Sequence, residues 1–158
     1  LKTYHEQLTT RTRSEKTFIT PDGKVDLPAE PNPSYAILLI EHSKLDAKVI
    51  VHCLKAEPFS VELVTDGEQG IRIVQESDVD LILLDIMMPR MSGFEVCRKI
   101  RQTYSLYALP VVMLTAKNRL IDLVQGLESG ANDYLPKPFY KEELRTGWLA
   151  RLAYLSIS

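Results

Sequence analysis

A doubly wound α/β sandwich is the fold class this sequence predicts, and three observations predict it. Five short apolar runs are spread over residues 36–135, segments of helical period lie between them, and the runs are apolar at consecutive positions. Strands that are apolar on both faces belong to a parallel sheet covered by helices on each side and joined by right-handed crossovers.

The runs are AILLI (Ala36 to Ile40), VELV (Val61 to Val64), LILL (Leu81 to Leu84), VVML (Val111 to Leu114) and the short DYL (Asp133 to Leu135). Leu45, Val49 and Cys53 mark a first helix. Leu120, Leu123, Val124 and Leu127 follow the i, i+3, i+4, i+7 spacing of one helix face, and that helix is expected to stop at Gly130. Leu144, Trp148, Leu152 and Leu155 mark a last helix, in which Gly147 weakens continuity. Five strands each followed by a helix give a (βα)5 pattern over residues 35–158.

Residues 1–34 differ in character. They are polar, rich in Thr and Arg, and end in LPAEPNPS, whose prolines exclude a regular helix or a central strand. The segment reads as a linker or N-terminal arm. Within it, TFITPDGKVDL forms either a small hairpin around Pro21-Asp22-Gly23 or an extended stretch. The start at Leu1 and the unfinished last helix suggest a piece of a larger protein.

The 158 residues suffice for one domain with a sizeable core. Hydrophobic residues make up 45%, charged residues 25%, and the formal net charge is -2, so no strongly acidic or basic partner is implied. Lys and Arg form no basic stripe, which excludes nucleic-acid binding by this domain. No apolar run approaches a spanning helix and no signal-peptide pattern opens the chain, so no membrane association is expected. Cys53 and Cys97 lie in no CxxC pair and no metal-ligand spacing, as expected of a protein in the reducing cytoplasm. Cys97, Met88, Met91 and Phe94 read as packing residues, and His5 and His52 have no partner at ligand spacing.

In an open parallel sheet the ligand sits at the carboxyl ends of the strands, where strand order reverses. The residues there are Glu41 and His42 after the first strand, Asp85 after the third, Thr115 after the fourth and Lys137 after the fifth. Taken singly, each is explained by capping and turn chemistry. As a set they form an anion or metal site on one edge of an apolar sheet.

Three segments make the reading specific. LILLDIMMPRMSGFEVCRKIR from Leu81, LPVVMLTA from Leu109 and GLESGANDYLPKPF from Gly126 resemble, in order and spacing, the receiver domains of two-component response regulators. The resemblance covers essentially Tyr35 to Leu155 and implies the flavodoxin-like (βα)5 sandwich, with strand order 2-1-3-4-5. It implies that Asp85 is the nucleophile that takes a phosphoryl group from a phosphohistidine. Lys137 then pairs with that carboxylate and with a phosphoryl oxygen, while the Thr115 hydroxyl donates to a second oxygen. Thr115 and Tyr134 are the implied switch pair, and Lys137-Pro138 the implied cis bond.

The resemblance further implies Mg²⁺ held by Glu41, Asp85 and the Met87 main-chain carbonyl. Receivers commonly carry a second acid where this sequence has His42, and Mg²⁺ prefers oxygen, so weaker Mg²⁺ binding is expected. Four outcomes stay open: activity with weaker metal binding, use of Mn²⁺, a pseudo-receiver that signals by binding alone, or protonated His42 partly replacing the cation. Implied partners are a histidine kinase or phosphotransfer protein and an effector, on the same chain or a separate protein. The face around the fourth helix, fifth strand and fifth helix carries the output, and the last helix is a connector or a homodimer contact. The domain is read as catalysing only its own phosphorylation and dephosphorylation, the latter slow because a Met87 side chain orients no water. An aspartate-nucleophile phosphatase is disfavoured, since it needs an acid where Met87 stands.

Overall fold

The five runs form five strands; in the three inner ones, apolar residues at consecutive positions hide both faces of the ladder beneath helices, while the second and fifth lie at the edges and stay partly exposed. The computed structural model describes residues 35–55, 59–116, 120–137, 139 and 141–144. In chain order the elements are β1 (Ala36–Ile40), α1 (Lys44–Lys55), β2 (Ser60–Val64), α2 (Gly67–Glu76), β3 (Leu81–Asp85) and α3 (Gly93–Arg101). They continue as β4 (Val111–Thr115), α4 (Leu120–Glu128), β5 (Asp133–Pro136) and α5 (Lys141–Leu144). All pairings are parallel, as the apolar runs predict, and the strand order is β2-β1-β3-β4-β5, as the resemblance implies. The order reverses between β1 and β3, which opens a crevice at their carboxyl ends.

Alternation along each strand divides the interior into two cores. Ile37, Leu39, Leu81, Leu83, Val112 and Leu114 pack with Ile50 and Leu54 of α1 and with Phe139. Leu38, Ile40, Ile82, Leu84, Val111 and Met113 pack with Val74 of α2 and with Phe94, Val96, Cys97 and Ile100 of α3. Met88 and Met91 pack against this second core, in keeping with a structural role. Gly130 ends α4 as expected: its φ of +99° is one that glycine adopts without strain, and its N–H donates to the Leu127 carbonyl at 3.0 Å.

Two helices turn a different face to the sheet from the one their leucine spacing predicts. In α1, Leu45 and Val49 are exposed and Cys53 is half-buried, whereas Ala47, Ile50 and Leu54 are buried. Ser43 fixes the start of this helix and hence its rotation, and that rotation carries positions 47, 50 and 54 inward. In α4, Leu120, Ile121, Val124 and Leu127 are exposed. That helix meets the sheet through buried Gly126, beside Met113 and Phe94, so its larger side chains face outward.

At the amino edge of the sheet, Arg101 ties together the segments that lead into β4 and β5. Its Nε donates to the Gly130 carbonyl at 2.6 Å, and one terminal nitrogen donates to the Ser105 and Leu109 carbonyls at 3.1 and 2.7 Å. The other donates to Asn132 Oδ1 at 2.7 Å, an oxygen that also accepts the Val111 N–H at 2.8 Å. Asp80 does similar work between β1 and β3: its Oδ2 accepts the Ala36 N–H at 2.7 Å.

No helix among the described residues is long and apolar enough to cross a membrane. The arm at 1–34, the Lys137-Pro138 bond and the stretch of the last helix bearing Trp148, Leu152 and Leu155 lie outside the described residues. Cys97 is fully buried, and burial pushes its thiol up to about 11. Iodoacetamide at mildly alkaline pH is therefore expected to label Cys53 in the folded protein and Cys97 only after denaturation, as read by peptide mass.

Candidate functional site

The carboxyl ends of β1, β3, β4 and β5 bring together most of the residues the sequence singles out. Glu41 follows β1, is fully buried, and is held beside β2 by its N–H, which donates to the Val64 carbonyl at 3.0 Å. Asp85 closes β3 and is also buried; its Oδ1 accepts the Met87 N–H at 3.2 Å. The Ile86 N–H donates to the Leu114 carbonyl and the Gly93 N–H to the Ile86 carbonyl, each at 3.0 Å, so the loop after Asp85 lies close to the sheet. A Cβ on Gly93 would stand 2.3 Å from the Asp85 carbonyl oxygen, a separation only glycine avoids.

Thr115 closes β4, is buried, and its carbonyl accepts the Lys137 N–H, which joins the ends of β4 and β5. The Lys137 ammonium reaches across the crevice. Nζ lies 2.6 Å from Glu41 Oε1, 2.8 Å from Asp46 Oδ2 and 3.6 Å from Asp85 Oδ1. Its hydrogen bonds go to Glu41 and Asp46, so the pairing with Asp85 expected from the sequence is present at longer range. Tyr134 is half-buried on β5 and sits in register with Met113. His42 is exposed and makes no hydrogen bond or ion pair with described residues.

Charge and burial oppose each other here. Burial, then the neighbouring Asp85 carboxylate, pushes Glu41 up to about 8, against the pull of Lys137. Burial draws Lys137 down, but its hydrogen bonds to Asp46 and Glu41 and the charge of Asp85 outweigh that and leave it above the ordinary lysine value. The hydrogen bond from Lys137 holds the Asp46 carboxyl below the ordinary aspartate value.

Asp46 is the site residue that strand-end reasoning misses. Its signal is the SKLD segment, Ser43 to Asp46, in which a capping serine is followed three residues later by an acid in the first helical turn. The Ser43 hydroxyl accepts the Asp46 N–H at 3.2 Å. Asp46, Val49, Ile50, Ala116, Lys137 and Phe139 line an adjoining groove of about 330 Å³.

The residues present fit a divalent cation. Glu41 Oε2 is buried and has no hydrogen-bond partner among the described residues, and the Asp85 carboxylate is its neighbour. No group of three or more His, Cys, Asp or Glu side chains gathers as a metal centre among the described residues. One or two carboxylates are nonetheless what Mg²⁺ commonly takes from a protein, keeping water and phosphate oxygens for the rest.

Comparison with known proteins agrees with this geometry. The model of the response regulator receiver domain family matches residues 37–147. The DNA-binding response regulator MtrA of Mycolicibacterium paratuberculosis is 42% identical over 116 residues, 73% of this chain and 50% of its own length. The chain thus spans about half the length of the curated relatives it matches. The receiver domain of the sensor histidine kinase PA1611 from Pseudomonas aeruginosa, solved with magnesium in its active-site cleft, is 34% identical with a TM-score of 0.70. That alignment covers 77% of this chain and 98% of the other. The signal receiver domain of a histidine kinase from Syntrophus aciditrophicus is 31% identical with a TM-score of 0.68, covering 77% and 91%. The buried carboxylate at the end of β3, the lysine reaching it from β5 and these likenesses agree, and the chain belongs to the response regulator receiver domain family of two-component signal transduction.

Proposed function

We propose that Asp85 is the phosphoacceptor of this receiver and that its phosphorylation state controls an effector. The observation that carries the reading is the buried Asp85 carboxylate at the switch point of the sheet, with the Lys137 ammonium 3.6 Å away. In the transfer, an Asp85 oxygen attacks the phosphorus of a phosphohistidine, the P–N bond breaks, and the imidazole departs with the electron pair. Lys137 and the Thr115 hydroxyl donate to phosphoryl oxygens as the charge on them is redistributed. Glu41, Asp85 and the Met87 carbonyl would hold Mg²⁺, which when bound neutralises phosphoryl charge. His42 supplies no carboxylate, which weakens Mg²⁺ binding and leaves Mn²⁺ as a second candidate.

The donor is a histidine kinase or a phosphotransfer protein. Movement of Thr115 toward the phosphoryl group, followed by Tyr134, passes the event to the face formed by α4, β5 and α5. The domain acts on no substrate beyond its own phosphorylation and dephosphorylation.

Incubation with acetyl phosphate in Mg²⁺, in Mn²⁺ and in EDTA, followed by intact mass, is the test. One added phosphoryl group that Asp85→Asn abolishes is the expected result. The same adduct in Asp85→Asn would move the acceptor elsewhere, and no adduct in either metal would leave a binding module.

A further inference from the structure

Asp46 lies in the site although no strand end delivers it. The Ser43 cap fixes the first turn of α1, and from there the Asp46 carboxylate accepts a hydrogen bond from Lys137 Nζ at 2.8 Å. Lys137 has three N–H donors. Glu41 Oε1 takes another at 2.6 Å and Asp85 Oδ1 stands at 3.6 Å, so one ammonium is shared by three carboxylates. Fully ionised, the four side chains carry two net negative charges. The buried Glu41 Oε2, meanwhile, has no partner among the described residues.

We infer that Asp46 is a positioning residue for cation binding: it holds Lys137 as a counter-ion, so that Glu41 is free to serve a divalent ion. The inference rests on the reading of Glu41 and Asp85 as the cation's ligands. A divalent ion approaching Glu41 must compete with an ammonium already 2.6 Å from its other oxygen. Were Glu41 and Asp85 the only anions near Lys137, metal binding would strip the lysine of its neutralising partners. The Lys137 side chain is only 12% exposed, and an unpaired ammonium in that setting is costly.

Asp46 removes that conflict cheaply. Its own side chain is 43% exposed, so it keeps part of its hydration while it neutralises the lysine. It also supplies a negative charge that the exposed imidazole of His42 does not. The departure from the acidic pair at position 42 is thereby compensated four residues further along the chain, from the first turn of a helix instead of from the strand end.

The test measures binding in the unphosphorylated protein, with Mn²⁺ followed by electron paramagnetic resonance of the free ion and Mg²⁺ by calorimetry. Asp46→Asn and Asp46→Glu are each made in the native sequence and in a Lys137→Met background, with metal-free thermal unfolding to establish that every variant is folded. Asp46→Asn is expected to raise Kd about tenfold, and Asp46→Glu to recover most of that loss. In the Lys137→Met background the asparagine change is expected to cost less than about threefold, because the lysine through which Asp46 acts is gone. A Kd for Asp46→Asn within about twofold of the native value overturns the inference, as does a loss that persists undiminished in Lys137→Met. Failure of the native protein to bind either ion overturns the cation site itself, a different result from binding that ignores Asp46.

Discussion

Arg101→Met is expected to lower the free energy of unfolding by about 3 kcal/mol and the melting temperature by roughly 10 °C. Methionine keeps much of the length and the apolar stem of arginine, so the variant isolates the donors. Those donors serve four backbone carbonyls, at Tyr104, Ser105, Leu109 and Gly130, and the Asn132 side chain. A buried acceptor stripped of its donor costs about 1–3 kcal/mol, and water recovers part of that at the half-buried positions. Leu109 is fully buried and its carbonyl has the least recourse to water. Arg101→Lys is expected to recover less than half of the loss, because an ammonium on a flexible stem cannot reproduce a planar fork. Thermal and urea unfolding of both variants measure this. A deficit in Arg101→Met below about 1 kcal/mol would mean that solvent serves the carbonyls nearly as well as the guanidinium does.

Gly93→Ala should hit the chemistry harder than the fold. The added methyl would lie 2.3 Å from the Asp85 carbonyl oxygen and 2.9 Å from the Ile86 Cα, both backbone atoms that cannot swing aside. Either the start of α3 moves outward or the end of β3 moves back, and overpacking of this kind costs about 1–3 kcal/mol. The second movement displaces Asp85 itself. Because misplacement of a reacting group by about 1 Å can cost 100-fold in rate, phosphorylation by acetyl phosphate is expected to slow by about that factor. Circular dichroism should still report a folded protein, which separates the variant from a general unfolding. Phosphorylation at the native rate would show that α3 absorbs the methyl without disturbing β3.

The architecture was legible because its three inner strands, β1, β3 and β4, are buried on both faces, whereas β2 and β5 at the edges are partly exposed. Runs such as LILL and VVML are apolar at consecutive positions, and only a covered parallel ladder accounts for that. The strand-end rule then found Glu41, Asp85, Thr115 and Lys137, since in this topology the carboxyl end of a strand is a place in space as well as in sequence. Helix faces were less legible. In α1 and α4 the leucine line faces outward, because the cap at Ser43 and the close approach at Gly126 decide rotation, and apolar spacing alone does not reveal either. Asp46 escaped for a related reason: it reads as a capping residue until the fifth strand brings Lys137 to it across 91 positions of sequence. Arg101 likewise reads as the solvated end of a helix, and its carbonyl partners come from loops whose positions only the fold defines.

The placement of the Arg101 contacts gives the sheet two unlike ends. Gly130, Asn132 and Leu109 all precede β5 or β4, and the Asp80 bond to the Ala36 N–H fastens the beginning of β1 to the residue before β3. At the far end, Lys137 ties side chains together, and its partners among the described residues are charges. The sheet is thus a fan riveted at the handle, with charged side chains gathered around the Lys137 ammonium at the tips. A change of charge at the tips acts at the opposite end of the sheet from the Arg101 and Asp80 bonds, so the frame and the charged cluster are separate parts of one sheet.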